Sequence, residues 1–450
     1  MTLPLSRRAA LRVGGASLLG LTYPQFLTAA EAKKGPKATA KCVIFLHQWG
    51  GPGQHETFDM KPDAPENVRG WFKPISSVVP GLPVCEKLPQ VAKIMDKVTV
   101  IRCLQHTMNN HNSAGYYSLT GVPPATDDQR LRDSLELFPA YGSIVSKFAK
   151  SDPGTAPFVS YPHVIADGSV TPGQHASFLG KAHNPLFVAD DPNKQDFRLP
   201  ELTLPEGVDV ARLESRTELL RMIDRQANLM EQSLVAKGLD ESYRKAVAML
   251  TSPNFKTAFD LSKESPKTRD RYGRTTYGQG CLLARRLAEA GAKFVNVYFS
   301  RAIGGKGQGW DYHGFRGENV PDRLAELMPI TDQTLSALLE DLEERGMLDE
   351  TMVVWVGEFG RTPKISSNGG RDHWPKCYTG LVAGGGAKRG HVYGKSDAIG
   401  AYPLEGLARP EDLAATMFAA LGIDPESEIR DSLNRPLPIA RGKVIQEVMA

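Results

Sequence analysis

The chain has 450 residues, 41% hydrophobic and 23% charged, as in a soluble globular protein with one large core or two smaller ones. Its formal charge is +3, and loss of Arg7, Arg8, Arg12 and Glu31 with residues 1–32 would leave +1, so neither nucleic acid nor an anionic membrane is expected as a partner. The cysteines Cys42, Cys85, Cys103, Cys281 and Cys377 are scattered without a CxxC pair; this excludes a zinc–thiolate site and a disulfide framework, leaving room for one opportunistic disulfide.

Residues 1–32 read as a twin-arginine signal peptide. Ser6-Arg7-Arg8-Ala9-Ala10-Leu11 carries the paired arginines, Val13 to Leu21 is weakly apolar, and Ala30-Glu31-Ala32 offers a cleavage site. The apolar run is too short for a stable membrane span; the competing reading is a basic amphipathic helix. Export by the twin-arginine translocase to the periplasm is therefore expected. That route carries folded proteins, which suits one loaded with metal beforehand. Residues 33–40 read as a linker and 41–450 as one domain, with a charged helical insertion near 201–255.

Cys42 to Leu46 is a first buried strand. It runs into His47-Gln48-Trp49-Gly50-Gly51-Pro52-Gly53-Gln54-His55, a glycine-rich turn that lacks the GK[ST] ending of a nucleotide phosphate loop. His47 and His55 are either ligands here or structural. Val98 to Leu104 is a second strand, and it exits through His106 to His111 and Ser113 into a helix ending at Gly121. A strand–loop–helix entry is where nucleophiles and anion sites occur; the plainer reading is a helix capped by Asn112 or Ser113. Further helices are expected over 139–149, 277–290, 321–345 and 411–421, with strands over 158–165, 294–299, 352–356 and 378–383. This alternation predicts an α/β fold with a mostly parallel sheet. His163, His175 and His183 have no evident partners and read as structural.

Two late segments carry most of the candidate chemistry. In Trp310-Asp311-Tyr312-His313-Gly314, an extended backbone would turn Asp311 and His313 the same way, towards one metal. Such a donor set suits zinc, manganese or iron better than calcium. The second segment, Thr351 to Pro375, places Glu358 at a strand exit and Arg371-Asp372-His373 on the next loop. In open α/β sheets ligands sit beyond the carboxyl ends of strands.

The GGPGQHETFD turn, GCLLARRLAEAG, WDYHG, GEFGRTP, GRDHWP and GGGAKRGHVYG occur in this order behind the twin-arginine leader. Together they resemble the bacterial exported family known as domain of unknown function 1501, which is similar to alkaline phosphatases and sulfatases. The resemblance implies a three-layer α/β/α sandwich with a metal site at the strand ends. It sets HNSAGYYSLTG against the sulfatase pattern C-x-P-S-R-x-x-L-x-T-G, which puts His111 at the nucleophile position and Ser113 at the proline. The Asp-x-x-x-His metal motif is shortened to Asp311-x-His313.

These readings lead to an expected metal-dependent hydrolase of phosphate or sulfate esters. Asp311, His313 and His373 would hold one ion. Glu358, with His111 and His55, would hold a second or orient substrate. His111, Glu358 and Arg361 are the catalytic candidates; Arg371, Gln48 and Ser113 are the substrate-binding ones. The expected substrate is a small anionic ester or glycan. The alternative is a non-catalytic periplasmic binding or assembly protein on a degenerate hydrolase scaffold.

Overall fold

The computed structural model describes residues 35–152, 154–195, 197, 252–299 and 309–450. The expected signal peptide and nearly all of the expected insertion lie outside the described residues. Eight strands form one sheet: β1 (Cys42–Gln48), β2 (Val98–Leu104), β3 (Phe158–Tyr161), β4 (Leu186–Phe187), β5 (Phe294–Phe299), β6 (Thr351–Val356), β9 (Tyr378–Ala383) and β10 (His391–Tyr393). A separate two-stranded ribbon, β7 (Gly360–Arg361) with β8 (His373–Trp374), stands above it. The sheet order is β10-β2-β9-β6-β1-β5-β3-β4. Only β9 runs against its neighbours, β6 and β2; the other pairings are parallel.

Alternation along β1 divides the core in two. Cys42, Ile44 and Leu46 face one way, towards helices α1 (Pro89–Ile94), α4 (Thr276–Glu289) and α5 (Val320–Glu344). Val43 and Phe45 face the other, towards α2 (His111–Thr120), α3 (Tyr141–Phe148) and α6 (Pro410–Ala420). Both faces of the sheet are thus covered, which is why its central strands are apolar throughout rather than alternating. The expected three-layer α/β architecture is what the chain adopts. All five cysteines are free and buried. No helix among the described residues is long and apolar enough to cross a membrane.

Three features aim the strand exits at one place. The β1 exit turns on Gly50, at φ +103°, where an added Cβ would sit 2.3 Å from the Asp311 nitrogen; only a glycine lets the two backbones meet. The Trp310 N–H donates to Trp49 O at 2.8 Å and brings the segment beyond β5 alongside. Finally α2, buried on every side, starts at His111 and stops at Gly121 in the left-handed conformation.

Candidate metal centre

The cluster lies beyond the carboxyl ends of β1, β5 and β6. Asp311 Oδ1 is 2.9 Å from His313 Nε2 and 3.2 Å from His373 Nε2. The two Nε2 atoms are 3.1 Å apart. The other carboxylate oxygen, Oδ2, meets His111 Nε2 at 3.2 Å. His111, Asp311 and His373 each offer a ligand atom within 4.8 Å of the others, and the distances above place His313 in the same group.

The back sides of the rings decide how they are protonated. His373 Nδ1 donates to Asn109 O at 2.7 Å, and His313 Nδ1 to Asp372 Oδ1 at 3.2 Å. Burial lowers the pKa of His373 to about 4, against the pull of Asp311. The neutral His373 ring, protonated at Nδ1, turns a bare Nε2 lone pair towards the Asp311 carboxylate. Arg361 already donates to Asp311 Oδ1 at 2.7 Å and to His313 Nε2 at 3.4 Å, so what favours a metal here is the spacing of the three donor atoms. Neighbouring ligands of a tetrahedral ion with bonds of roughly 2.0–2.1 Å are about 3.3 Å apart, close to the sides of this triangle. The residues therefore fit a divalent transition metal.

His111 is held differently. Its Nδ1 donates to Glu358 Oε1 at 2.8 Å while Nε2 points at Asp311. Burial opposes the charged ring, but the two carboxylates outweigh it and raise the pKa to about 9. Glu358 is fully buried at the end of β6; Gly50 N donates to its Oε1 at 2.8 Å, and its Oε2 has no partner among the described residues. Burial would raise the Glu358 pKa; His111 lowers it instead. His106 fixes this residue from behind: Met108 N donates to Nδ1, so the ring proton sits on Nε2 and goes to Glu358 O at 2.5 Å. For Asp311 too, burial disfavours ionisation, but the three histidines and Arg361 hold its pKa far below the carboxylate range.

Six of the expected site residues meet here: His111, Asp311, His313, Glu358, Arg361 and His373. Arg361 reaches the cluster but has nothing left for a substrate. Nη2 donates to Asp311 Oδ1 at 2.7 Å, to Trp310 O at 3.0 Å and to Gly50 O. Nη1 is taken by Arg371 O and His313 Nε2, and Nε by Gly51 O. It is a buried strut between loops, not an open anion clamp.

Four expected residues lie elsewhere. Arg371 spends its five N–H groups on Glu56, Val68 O, Thr362 O and Pro363 O, with Trp71 stacked 5.1 Å away. The Gln48 amide is consumed by Leu46 O, Tyr277 and Trp310. Ser113 Oγ accepts from Asp128 N and donates to Asp128 O. His55, expected as a ligand, meets Ile399 O with Nε2 at 2.7 Å; burial, with Arg371 next, lowers its pKa to about 3. Each is a buried polar group bonded away from the cluster, although His55 Nδ1 has no partner among the described residues. Of the residues the candidate set left out, Asp372 orients His313. An acid directly before His373 was its one sequence signal. The carbonyl of Asn109 had none.

Residues 40–449 match the family described as "Protein of unknown function (DUF1501)". The chain belongs to this family. No curated protein matches it significantly. Among solved structures it is similar to the PsFucS1 sulfatase from Pseudoalteromonas sp., at 14% identity over 99% of this chain and 77% of that one, with a TM-score of 0.42. It is similar to a protein in the alkaline phosphatase superfamily from Vibrio parahaemolyticus, at 10% identity, 86% and 69% coverage and a TM-score of 0.37. A third is the phosphonate monoester hydrolase SpPMH from Silicibacter pomeroyi, at 12% identity, 92% and 76% coverage and a TM-score of 0.34. At these identities and scores the likeness says nothing about activity.

Proposed function

We propose that this family member is an exported, metal-dependent hydrolase of phosphate or sulfate esters. The reading is carried by one observation: Asp311 Oδ1, His313 Nε2 and His373 Nε2 converge to within 2.9–3.2 Å of one another, the spacing of ligands around one ion. A zinc, manganese or iron ion bound there would supply a Lewis acid for the ester oxygen and lower the pKa of a water.

The chain's own groups would do the rest. Asp372 and Asn109 O hold the two imidazoles in register. His111, held by Glu358, keeps a proton at Nε2. As the oxygen of water attacks phosphorus or sulfur, the bond to the alkoxy oxygen breaks. His111 gives that oxygen its proton, the attacking water loses one proton to solvent and His111 regains one from it, so the products are an alcohol and the inorganic anion.

The test is elemental analysis of the purified full chain with turnover of p-nitrophenyl phosphate and p-nitrophenyl sulfate, beside Asp311→Asn. Stoichiometric metal and turnover, both lost in the variant, are expected. Absence of both from the wild type overturns the reading. A second reading, a binding protein on a hydrolase scaffold, draws support from Ser113, Arg361 and Arg371 being fully committed elsewhere; metal without turnover of either ester would favour it. Export is tested separately: replacing Arg7 and Arg8 by lysine should retain the protein in the cytoplasm, and unchanged export would sink the twin-arginine assignment.

A further inference from the structure

A groove of about 750 Å³ runs along the outer side of the β7–β8 ribbon, bounded by Asp372, Trp374, Ser366, Ser367, Ile399 and Tyr402. It touches the candidate metal centre through one residue: Asp372 lines the groove and also bonds His313 Nδ1 at 3.2 Å.

Its aromatic edge is rigid yet uncovered. Tyr402 is 52% exposed and Ile399 39%. The Tyr402 ring meets the Trp374 ring at 5.7 Å and 65°. The Trp374 indole N–H is fixed on Ala401 O at 2.7 Å, so the polar edge of the ring is already satisfied and its carbons line the groove. The turn that presents Tyr402 is fastened from within. Asp397 Oδ1 accepts from Ile399 N and Ala401 N, and Oδ2 from Tyr402 N. His55 bonds Ile399 O and Gln54 bonds Gly400 O, so two buried side chains of the β1 exit loop nail the turn down. A soft apolar patch left over from folding would not be held by five such bonds. The same groove is lined by the hydroxyls of Ser366 and Ser367, the Asp372 carboxylate and Lys364. Exposed aromatic surface beside hydroxyl and carboxylate groups matches a pyranose ring, which has C–H groups on its faces and hydroxyls around its edge.

We infer that this groove is a carbohydrate subsite, and that the ester reaching the metal centre is carried on a sugar chain. The second half of this inference rests on the hydrolase reading; the first does not. Asp372 would link the two, touching a sugar hydroxyl while it orients His313.

The test is calorimetric titration of the purified full chain with linear hexasaccharides of glucose (α-1,4 and β-1,4), galactose, mannose, xylose and N-acetylglucosamine, without any ester. At least one should bind. Tyr402→Ala should weaken that binding by about two- to twelvefold, the range of an aromatic contact, and Tyr402→Phe should restore it. No binding to any of the six, or binding indifferent to Tyr402→Ala, overturns the subsite. Binding needs neither metal nor turnover. Hexasaccharide binding without ester turnover would therefore remove the hydrolase reading alone, and turnover without hexasaccharide binding would remove the subsite alone.

Discussion

Arg361 Nη2 donates to Asp311 Oδ1 at 2.7 Å, while the rest of the guanidinium is spent on carbonyls of Gly50, Gly51, Trp310 and Arg371 and on His313. The pair ties the β1 exit, the segment beyond β5 and the ribbon into one unit. Breaking a buried pair on one side costs about 3–5 kcal/mol, so Arg361→Ala should lower the urea midpoint accordingly. Arg361→Lys should recover little, because one ammonium cannot reach acceptors spread around a planar fork. If the alanine variant unfolds like wild type and only raises KM for an anionic ester, Arg361 belongs to substrate binding after all.

The metal prediction is quantitative. Titration of the stripped protein with Zn²⁺ should give one tight site. Removing even a partner that merely orients a ligand costs 10–100-fold in affinity, so Asp311→Asn and His373→Ala should each cost about 100-fold or more. His55→Gln should leave the affinity unchanged, since His55 bonds Ile399 O and not the cluster. A comparable loss in His55→Gln would restore it as a ligand.

Acid should destabilise the protein through three buried histidines. Burial lowers His47 and His106 to about 4 and His55 to about 3, from 6.5. Above pH 6.5 these rings are neutral folded or unfolded, and their contribution is fully present. Below it the unfolded chain takes up protons that the folded one refuses, so stability falls as the pH drops towards 4. A fall from 6.5 to about 4 is worth roughly 3 kcal/mol per group at the acid limit. His111, raised to about 9, works the other way above pH 6.5, so urea midpoints should fall more steeply between pH 6 and 5 than between 7.5 and 6, and less steeply overall in His55→Gln. A flat profile would contradict the burial of these rings.

Gly370 supports His313 by having no side chain. A Cβ there would lie 2.1 Å from the carbonyl carbon and oxygen of His313. Gly370→Ala should push His313 away and lower metal affinity by at least about tenfold, with an overpacking cost of about 1–3 kcal/mol. The neighbouring Gly369 has open space around it but a φ of +77°, so Gly369→Ala should be strained yet bind metal normally. Equal metal affinity in the two variants would refute the argument.

Much of the fold was legible because its signals are local. The apolar runs of β2, β5 and β9 have the bounds expected from sequence, and α2 ends at the expected Gly121. Part of the site was legible for the same reason. Asp311 and His313 are two apart in extended chain and do face one point, at 2.9 Å between donor atoms. Glu358 and His373 follow strand and ribbon positions close in sequence. The groove beside Trp374 was not legible, because Tyr402 acquires its meaning only from a turn fastened by Asp397, Gln54 and His55.

The sequence alone determined the family, the α/β class and the donor types at the strand exits, since these depend on periodicity and short spacing. Only the tertiary structure decided which polar groups meet. Arg361 and Arg371 look alike as loop arginines, yet one closes on Asp311 and the other on Glu56, 315 positions away. His313 and His55 both follow strand exits, yet one faces a carboxylate and the other a carbonyl. The reason is physical. A buried polar side chain must go to whatever acceptor the packed loops leave unsatisfied, and strand order rather than local pattern decides where that acceptor lies.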